Sequence, residues 1–150
     1  MTERADLVVV GAGTIGGWAS VFAAANGVGM VVVLEKGLAG MGASSRAAGI
    51  VRAQGGTPAT VALGRWSIDF YNGQAAAYGT DSGFRELGYL ILALTEEDER
   101  VGRDRVAMQQ RAGLTDVRWL TATEAVEVAG TLSPDGHCGG SYRDGDGHID

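Results

Sequence analysis

The chain has 150 residues, 45% of them hydrophobic, which is the size and composition of one ordinary domain with a core. Its formal net charge of −6 offers no electrostatic footprint for nucleic acid or an anionic membrane, so neither is expected as a partner. The single cysteine, Cys138, excludes an intrachain disulfide and reads as an inert thiol in a reducing, cytoplasmic setting.

Met1 to Asp6 is polar and is followed by only four apolar residues, too few for an export signal. Those four, Leu7 to Val10, read as a strand leading into Gly11-Ala12-Gly13-Thr14-Ile15-Gly16, a helix from Thr14 to Asn26, a break at Gly27, and a second strand from Met30 to Leu34 closed by Glu35. Asn26, Gly27 and Gly29 interrupt the apolar stretch, so no membrane span of about 20 residues is expected. Each glycine has a separate job: Gly11 for the tight turn, Gly13 for close approach of backbone to a pyrophosphate, and Gly16 for close packing of helix on strand. The helix would aim its free N–H groups and positive dipole end at the phosphates. Glu35, nineteen positions after Gly16, would accept hydrogen bonds from a ribose 2′-OH and repel a 2′-phosphate. The pattern is that of a dinucleotide site for FAD or NAD rather than NADP. Ile15, Ala19, Phe22 and Ala23 are spaced for one buried face of the helix, and the run Val31 to Leu34 reads as a parallel strand beside the first.

Lys36 to Gly49 is rich in Gly, Ala and Ser and reads either as a plain loop or as a second phosphate-side element, with Ser44, Ser45 and Arg46 as donors. A helix is expected from Thr60 to Tyr78, burying Val61, Trp66, Phe70 and Tyr71 and leaving Arg65 and Asp69 outside. Gly88 to Leu94 reads as a strand, and Thr95 caps a charged helix running to Arg111. Val117 to Leu120 is extended, Thr121 to Glu124 is a capping box, and Gly130 ends the helix that follows. The last stretch suggests a strand near Gly140 to Arg143, loop positions for His137 and His148, and turns at Asp135, Asp144, Asp146 and Asp150. These aspartates lack the spacing of a calcium loop, so no metal is expected.

The first fingerprint with Glu35-Lys36, followed by Gly42-Ala43-Ser44-Ser45-Arg46-Ala47-Ala48-Gly49-Ile50-Val51-Arg52, resembles the D-amino acid oxidase/sarcosine oxidase superfamily of FAD enzymes, in particular the beta subunit of heteromeric sarcosine oxidases. Phe84 to Leu90 resembles that family's substrate-domain strand, and Asp144 to Asp150 a segment that leads into a long helix. The resemblance implies an α/β fold: a Rossmann-like βαβ unit of the glutathione reductase kind, followed by the start of an α+β substrate domain. The expected division is 1–58 for the FAD-binding part and 59–150 for substrate-domain elements. It implies FAD held by Gly11, Ala12, Gly13, Thr14, Ile15, Gly16, Glu35, Lys36, Ser44, Ser45, Arg46, Gly49 and Ile50, with Arg52 binding a substrate carboxylate. Dimethylglycine-type members carry a flavin-linked histidine where this chain has Arg46, so that linkage is not expected.

Members of that superfamily are much longer. A βαβ unit with a few further elements leaves one edge and one face of a parallel sheet open. A second polypeptide is therefore expected to supply the C-terminal half, encoded separately or released by cleavage after Asp150. The resulting enzyme would oxidise a small amine or amino acid by hydride transfer to flavin, giving an imine; no general base is named by this half. The alternatives are a non-catalytic FAD- or dinucleotide-binding subunit of a heteromeric complex, or an NAD-dependent dehydrogenase. The segment from Arg46 to Arg52 favours the enzyme, because an ADP-binding module has no need of it.

Overall fold

The computed structural model describes residues 4–149. Met1 to Glu3 and Asp150, and with them the expected cleavage point, lie outside the described residues. The chain divides into two compact units, Met1–Ala48 and Gly49–Asp150.

In the first unit β1 (Leu7–Val10) and β2 (Val31–Leu34) pair in parallel, Leu7 against Val31 and Val10 against Leu34, with α1 (Thr14–Ala25) as the crossover. The strand–turn–helix–strand order is the one read from the sequence. The face of α1 is not. Ile15 is 88% exposed and Ala19 is exposed, whereas Gly16 and Ala23, seven residues apart, are half-buried against the strands. Apolar residues surround this helix on most sides, so periodicity alone does not select the packed stripe. Val8 is exposed and Val10 is 85% exposed, on the strand face opposite Val9, whose side chain lies nearest Gly16. No described residue of α1 is buried. The unit therefore leaves apolar surface on both layers.

The second unit holds its own core. It contains β3 (Ile50–Val51), α2 (Pro58–Tyr78), β4 (Phe84–Glu86), β5 (Tyr89–Ala93), α3 (Glu96–Arg111), β6 (Arg118–Leu120), α4 (Ala122–Ala129), β7 (Gly139–Arg143) and β8 (Gly147–Ile149). Two antiparallel sheets, ordered β3-β8-β4 and β5-β7-β6, are described. Val61, Ile68, Phe84, Val106, Leu114 and Val117 pack together as the main core, and Leu120, Ala125 and Tyr142 form a second cluster.

Helix boundaries follow their caps. Thr57 accepts the Thr60 N–H and Pro58 opens α2, two residues before the sequence-based start, because proline at the first helical position gives up no hydrogen bond. Thr121 with Glu124 forms the expected capping box of α4, which Gly130 ends, and the expected cap Thr95 forms a capping box with Asp98 on α3. Trp66 is 55% exposed and stacks on Phe70, centroids 5.3 Å apart, instead of entering the core. It lies five residues from Val61, about 140° around the helix, whereas Ile68 falls back on the buried stripe. His148 is on strand β8 between Ile50 and Arg85, not in a loop, while His137 sits in a turn with its Nε2 3.0 Å from the Ser133 carbonyl. Asp146, between the Asp144–Gly145 turn and β8 as expected, is fully buried.

Among the described residues no helix is long and apolar enough to cross a membrane, and no group of three or more His, Cys, Asp or Glu side chains is arranged to hold a metal ion.

Candidate functional site

The glycine turn is built by continuing the parallel ladder one step. Gly11 N–H donates to the Leu34 carbonyl at 2.7 Å, and the chain then turns with Gly11 at φ +103°, a conformation that favours glycine. Gly16 sits where a Cβ would run into the Gly11 carbonyl and approach Val9 Cγ1 at 3.2 Å. Only a residue without a side chain lets α1 begin this close to β1. A Cβ on Gly13 would lie 3.1 Å from Ser44 Oγ, so the second motif is the neighbour that Gly13 must admit.

Four hydrogen bonds join the two motifs and Glu35. Ala12 N–H donates to Glu35 Oε2 at 2.9 Å, and Gly37 N–H to Oε1 at 3.0 Å. Gly40 N–H donates to the Ala12 carbonyl at 2.9 Å, and Thr14 N–H to Ser44 Oγ at 3.0 Å. The Ala12 and Gly37 N–H groups hold the Glu35 carboxyl below its ordinary value, so it is ionised throughout the neutral range. Because Ser44 Oγ accepts from Thr14, its own proton remains to be donated elsewhere. The other N–H groups of the first turn of α1 have no intrahelical partner by construction, and the positive end of the helix dipole lies there.

These residues line a cleft of about 1110 Å³. Of the cofactor residues read from the sequence, Gly11, Gly13, Thr14, Ile15, Gly16, Glu35, Lys36, Ser44 and Arg46 face it. Ala12 lines an adjoining apolar hollow with Trp18, Val21 and Val33. Ser45 is turned into its own loop, its hydroxyl donating to the Gly42 carbonyl at 3.1 Å and its N–H to Gly40 at 3.0 Å. Gly49 and Ile50 belong to the second unit, where Gly49 accepts the Ile149 N–H and Ile50 pairs with His148. Sequence reasoning missed Leu38, Gly40 and Met41 as parts of the site. Leu38 and Met41 line the cleft and Gly40 clamps Ala12; the only sequence signal was the glycine content of the loop.

Arg52 also lies in the second unit. Its guanidinium carbon is 5.4 Å from the centroid of the Tyr89 ring. The residues after it enter a buried polar network. Ala53 N–H donates to Asp146 Oδ1 at 2.9 Å; Gln54 Nε2 donates to the Tyr89 carbonyl at 2.8 Å and to Asp146 Oδ2 at 3.2 Å. Ser141 Oγ donates to Gln54 Oε1 at 2.8 Å, and Arg143 Nη1 to Asp146 Oδ1 at 2.8 Å. Arg143 is itself paired with Asp116; burial pushes the Asp116 carboxyl up, but the Arg143 hydrogen bond and charge outweigh it and hold it below the ordinary carboxylate value.

A family model described as DAO, FAD dependent oxidoreductase, matches residues 6–150. The chain belongs to this family. The DAO chain is 35% identical over 156 aligned residues to a glycine oxidase of Geobacillus kaustophilus, an alignment covering 99% of this chain and 41% of that protein. It is 33% identical over 144 residues to a 4-methylaminobutanoate oxidase (formaldehyde-forming) of Paenarthrobacter nicotinovorans, covering 95% of this chain and 17% of the other. Among solved structures, L-proline dehydrogenase from P. horikoshii matches with a TM-score of 0.88 and 26% identity over 100% of this chain and 39% of that one. The glycine oxidase structure from G. kaustophilus matches at 0.78 and 32% identity, over 99% and 41%. The DAO chain thus spans about two fifths or less of the length of these relatives.

FAD is the cofactor of the family, and the residues of the cleft fit it. The glycine turn presents backbone N–H groups without side chains in the way, Ser44 keeps a proton to donate, and ionised Glu35 retains acceptor capacity beyond its two backbone bonds.

Proposed function

We propose that this chain is the N-terminal part of an FAD-dependent oxidoreductase acting on a small amine or amino acid. The observation that carries the proposal is the cleft in which the glycine turn, Glu35 and Ser44 are hydrogen-bonded into one surface, in a chain whose family match runs from residue 6 to residue 150. When bound, FAD supplies the acceptor for a hydride from the carbon beside the amine nitrogen.

The chain's own residues bind and orient. Backbone N–H groups at the start of α1, together with the Ser44 hydroxyl and the Arg46 guanidinium, hold the pyrophosphate. Glu35 accepts from the adenosine ribose, and Lys36 borders it. Ser45 closes the loop that presents Ser44. Arg52 orients a substrate carboxylate by paired N–H donors. Loss of that hydride and of a proton from the nitrogen leaves an imine, which water hydrolyses.

Glycine oxidase, L-proline dehydrogenase and 4-methylaminobutanoate oxidase, the activities named for the relatives, all concern nitrogen compounds that carry a carboxylate. That common chemistry supports the role of Arg52. The apolar surface of the first unit outside the cleft, including Val8 and Leu34, is covered by the C-terminal part of the fold on a second polypeptide. The lone thiol of Cys138 suits the cytoplasm as the place of assembly.

The test uses the complete enzyme purified with its bound cofactor. Flavin absorbance is recorded, and turnover is measured with glycine, proline and 4-methylaminobutanoate, each beside the amine left when its carboxylate is removed: methylamine, pyrrolidine and N-methylpropylamine. Bound flavin and turnover of at least one compound are expected, with Arg52→Ala raising KM for the carboxylate-bearing member only. Absence of flavin overturns the proposal. Flavin without turnover of any amine favours the non-catalytic dinucleotide-binding subunit.

A further inference from the structure

We propose that Tyr89 is a positioning residue of the substrate site, its ring holding the Arg52 guanidinium where a carboxylate can meet it. This rests on the reading of Arg52 as the carboxylate anchor. Arg52 is exposed at the end of a short strand, and a free arginine side chain samples many rotamers. A carboxylate that orders it must offset that lost freedom. The Tyr89 ring, under the guanidinium at 5.4 Å, supplies a face on which the side chain is ordered beforehand. A cation–π contact uses none of the guanidinium's N–H groups as a hydrogen-bond donor, so they stay available to grip a carboxylate in two parallel hydrogen bonds.

The support beneath the pair is what makes the contact more than a surface coincidence. Gln54 is buried and uses its whole amide: the NH2 group donates to the Tyr89 carbonyl and to the Asp146 carboxylate, and the carbonyl accepts from Ser141. One side chain therefore joins the segment that carries Arg52 to the first residue of the strand that presents Tyr89. Asp146 fixes the Ala53 N–H directly after Arg52, and buried Gln109 donates to the Gly55 carbonyl at 2.8 Å, closing the loop from its other end. Burying a carboxylate and an amide is costly unless they are paired, and here Asp146 and Gln54 are paired with each other and with the backbone of Ala53 and Tyr89, next to one exposed cation.

The test uses the complete flavin-loaded enzyme, the amino acid turned over fastest in the screen above, and the matching amine without a carboxylate. Tyr89→Leu is expected to raise KM for the amino acid about fivefold, the size of an exposed cation–π contact, with kcat and the KM of the amine unchanged. Tyr89→Phe keeps the ring and the wild-type KM, and Tyr89→Leu adds nothing in an Arg52→Ala background. An unchanged KM in Tyr89→Leu, with a selective effect of Arg52→Ala, overturns the positioning role and leaves the anchor standing. An Arg52→Ala effect that is absent or equal for both compounds overturns the anchor and the inference with it. A measurement that does not require Tyr89→Leu to fold is the NMR shift of the Arg52 side-chain N–H group. A ring-current displacement shared by wild type and Tyr89→Phe is expected, and its absence from the wild type overturns the proposal.

Discussion

Replacing Asp146 by alanine removes the acceptor for three donors at a position that is 0% exposed. The Ala53 N–H, bonded at 2.9 Å and buried, is left without a partner, which costs about 1–3 kcal/mol. Gln54 Nε2 keeps the Tyr89 carbonyl and loses only its longer bond. Arg143, whose side chain is 13% exposed, keeps both contacts to Asp116 at 2.9 Å, so the roughly 3–5 kcal/mol expected for an uncompensated buried charge is an upper limit. With Arg143 retaining Asp116 and so contributing only about 1–2 kcal/mol beside the roughly 2 kcal/mol for Ala53, the loss is about 3–4 kcal/mol, a large share of the roughly 5–15 kcal/mol that stabilises an ordinary domain. With a urea slope of about 2 kcal/mol per molar, the midpoint falls by roughly 1.5–2 M. Urea unfolding of the complete protein, followed by far-ultraviolet circular dichroism and tryptophan fluorescence, measures it. A loss below about 1 kcal/mol would show that the Asp146 bonds do not tie the Arg52 segment in place, and the reasoning about that network would be refuted.

Gly16→Ala places a methyl group against the Gly11 carbonyl, so α1 must move off β1, and flavin content per chain should fall below about one tenth of wild type with the far-ultraviolet spectrum retained. Glu35→Gln has only one acceptor oxygen for the Ala12 and Gly37 N–H groups; the FAD dissociation constant, measured by ultrafiltration, should rise on the order of tenfold. The carboxyls of Asp116, through Arg143 against its own burial, and Asp144, chiefly through Arg118, are lowered in the folded chain. Lowered carboxyls contribute stability that is complete above their unfolded value of about 3.9 and lost as the pH falls through the folded values, so urea midpoints should be flat from about pH 7 to 5 and decline below about pH 4. A midpoint that rises on acidification would contradict both assignments.

What was legible in the sequence was what local chemistry dictates. Gly11 needs a positive φ and Gly16 a missing side chain, and the threonine caps of α3 and α4 announce themselves within four residues, whereas the Thr57 cap of α2 was not read. Glu35 was placed correctly at the end of β2, because a strand of four residues leaves little freedom in where its end falls. What was not legible depends on neighbours far away in the chain. Asp146 reads as one more aspartate in a glycine-rich turn until Ala53, 93 positions earlier, lays its N–H on it. Ile15 and Trp66 were assigned to buried faces because apolar periodicity marks several stripes on an apolar helix and only the partner selects among them. Ser45 and Ser44 are indistinguishable as neighbours in the sequence. The short 3₁₀ turn over Ser44–Arg46 sends one hydroxyl toward Thr14 and the other into the loop.

The most direct test of the central claim is anaerobic mixing of the flavin-loaded complete enzyme with glycine, proline or 4-methylaminobutanoate while the flavin absorbance is followed. The account predicts bleaching by at least one of them, with an equal amount of imine-derived product, and a signal below about one tenth of wild type in Gly16→Ala. Flavin that none of these compounds bleaches, and that a reduced nicotinamide does, would contradict it.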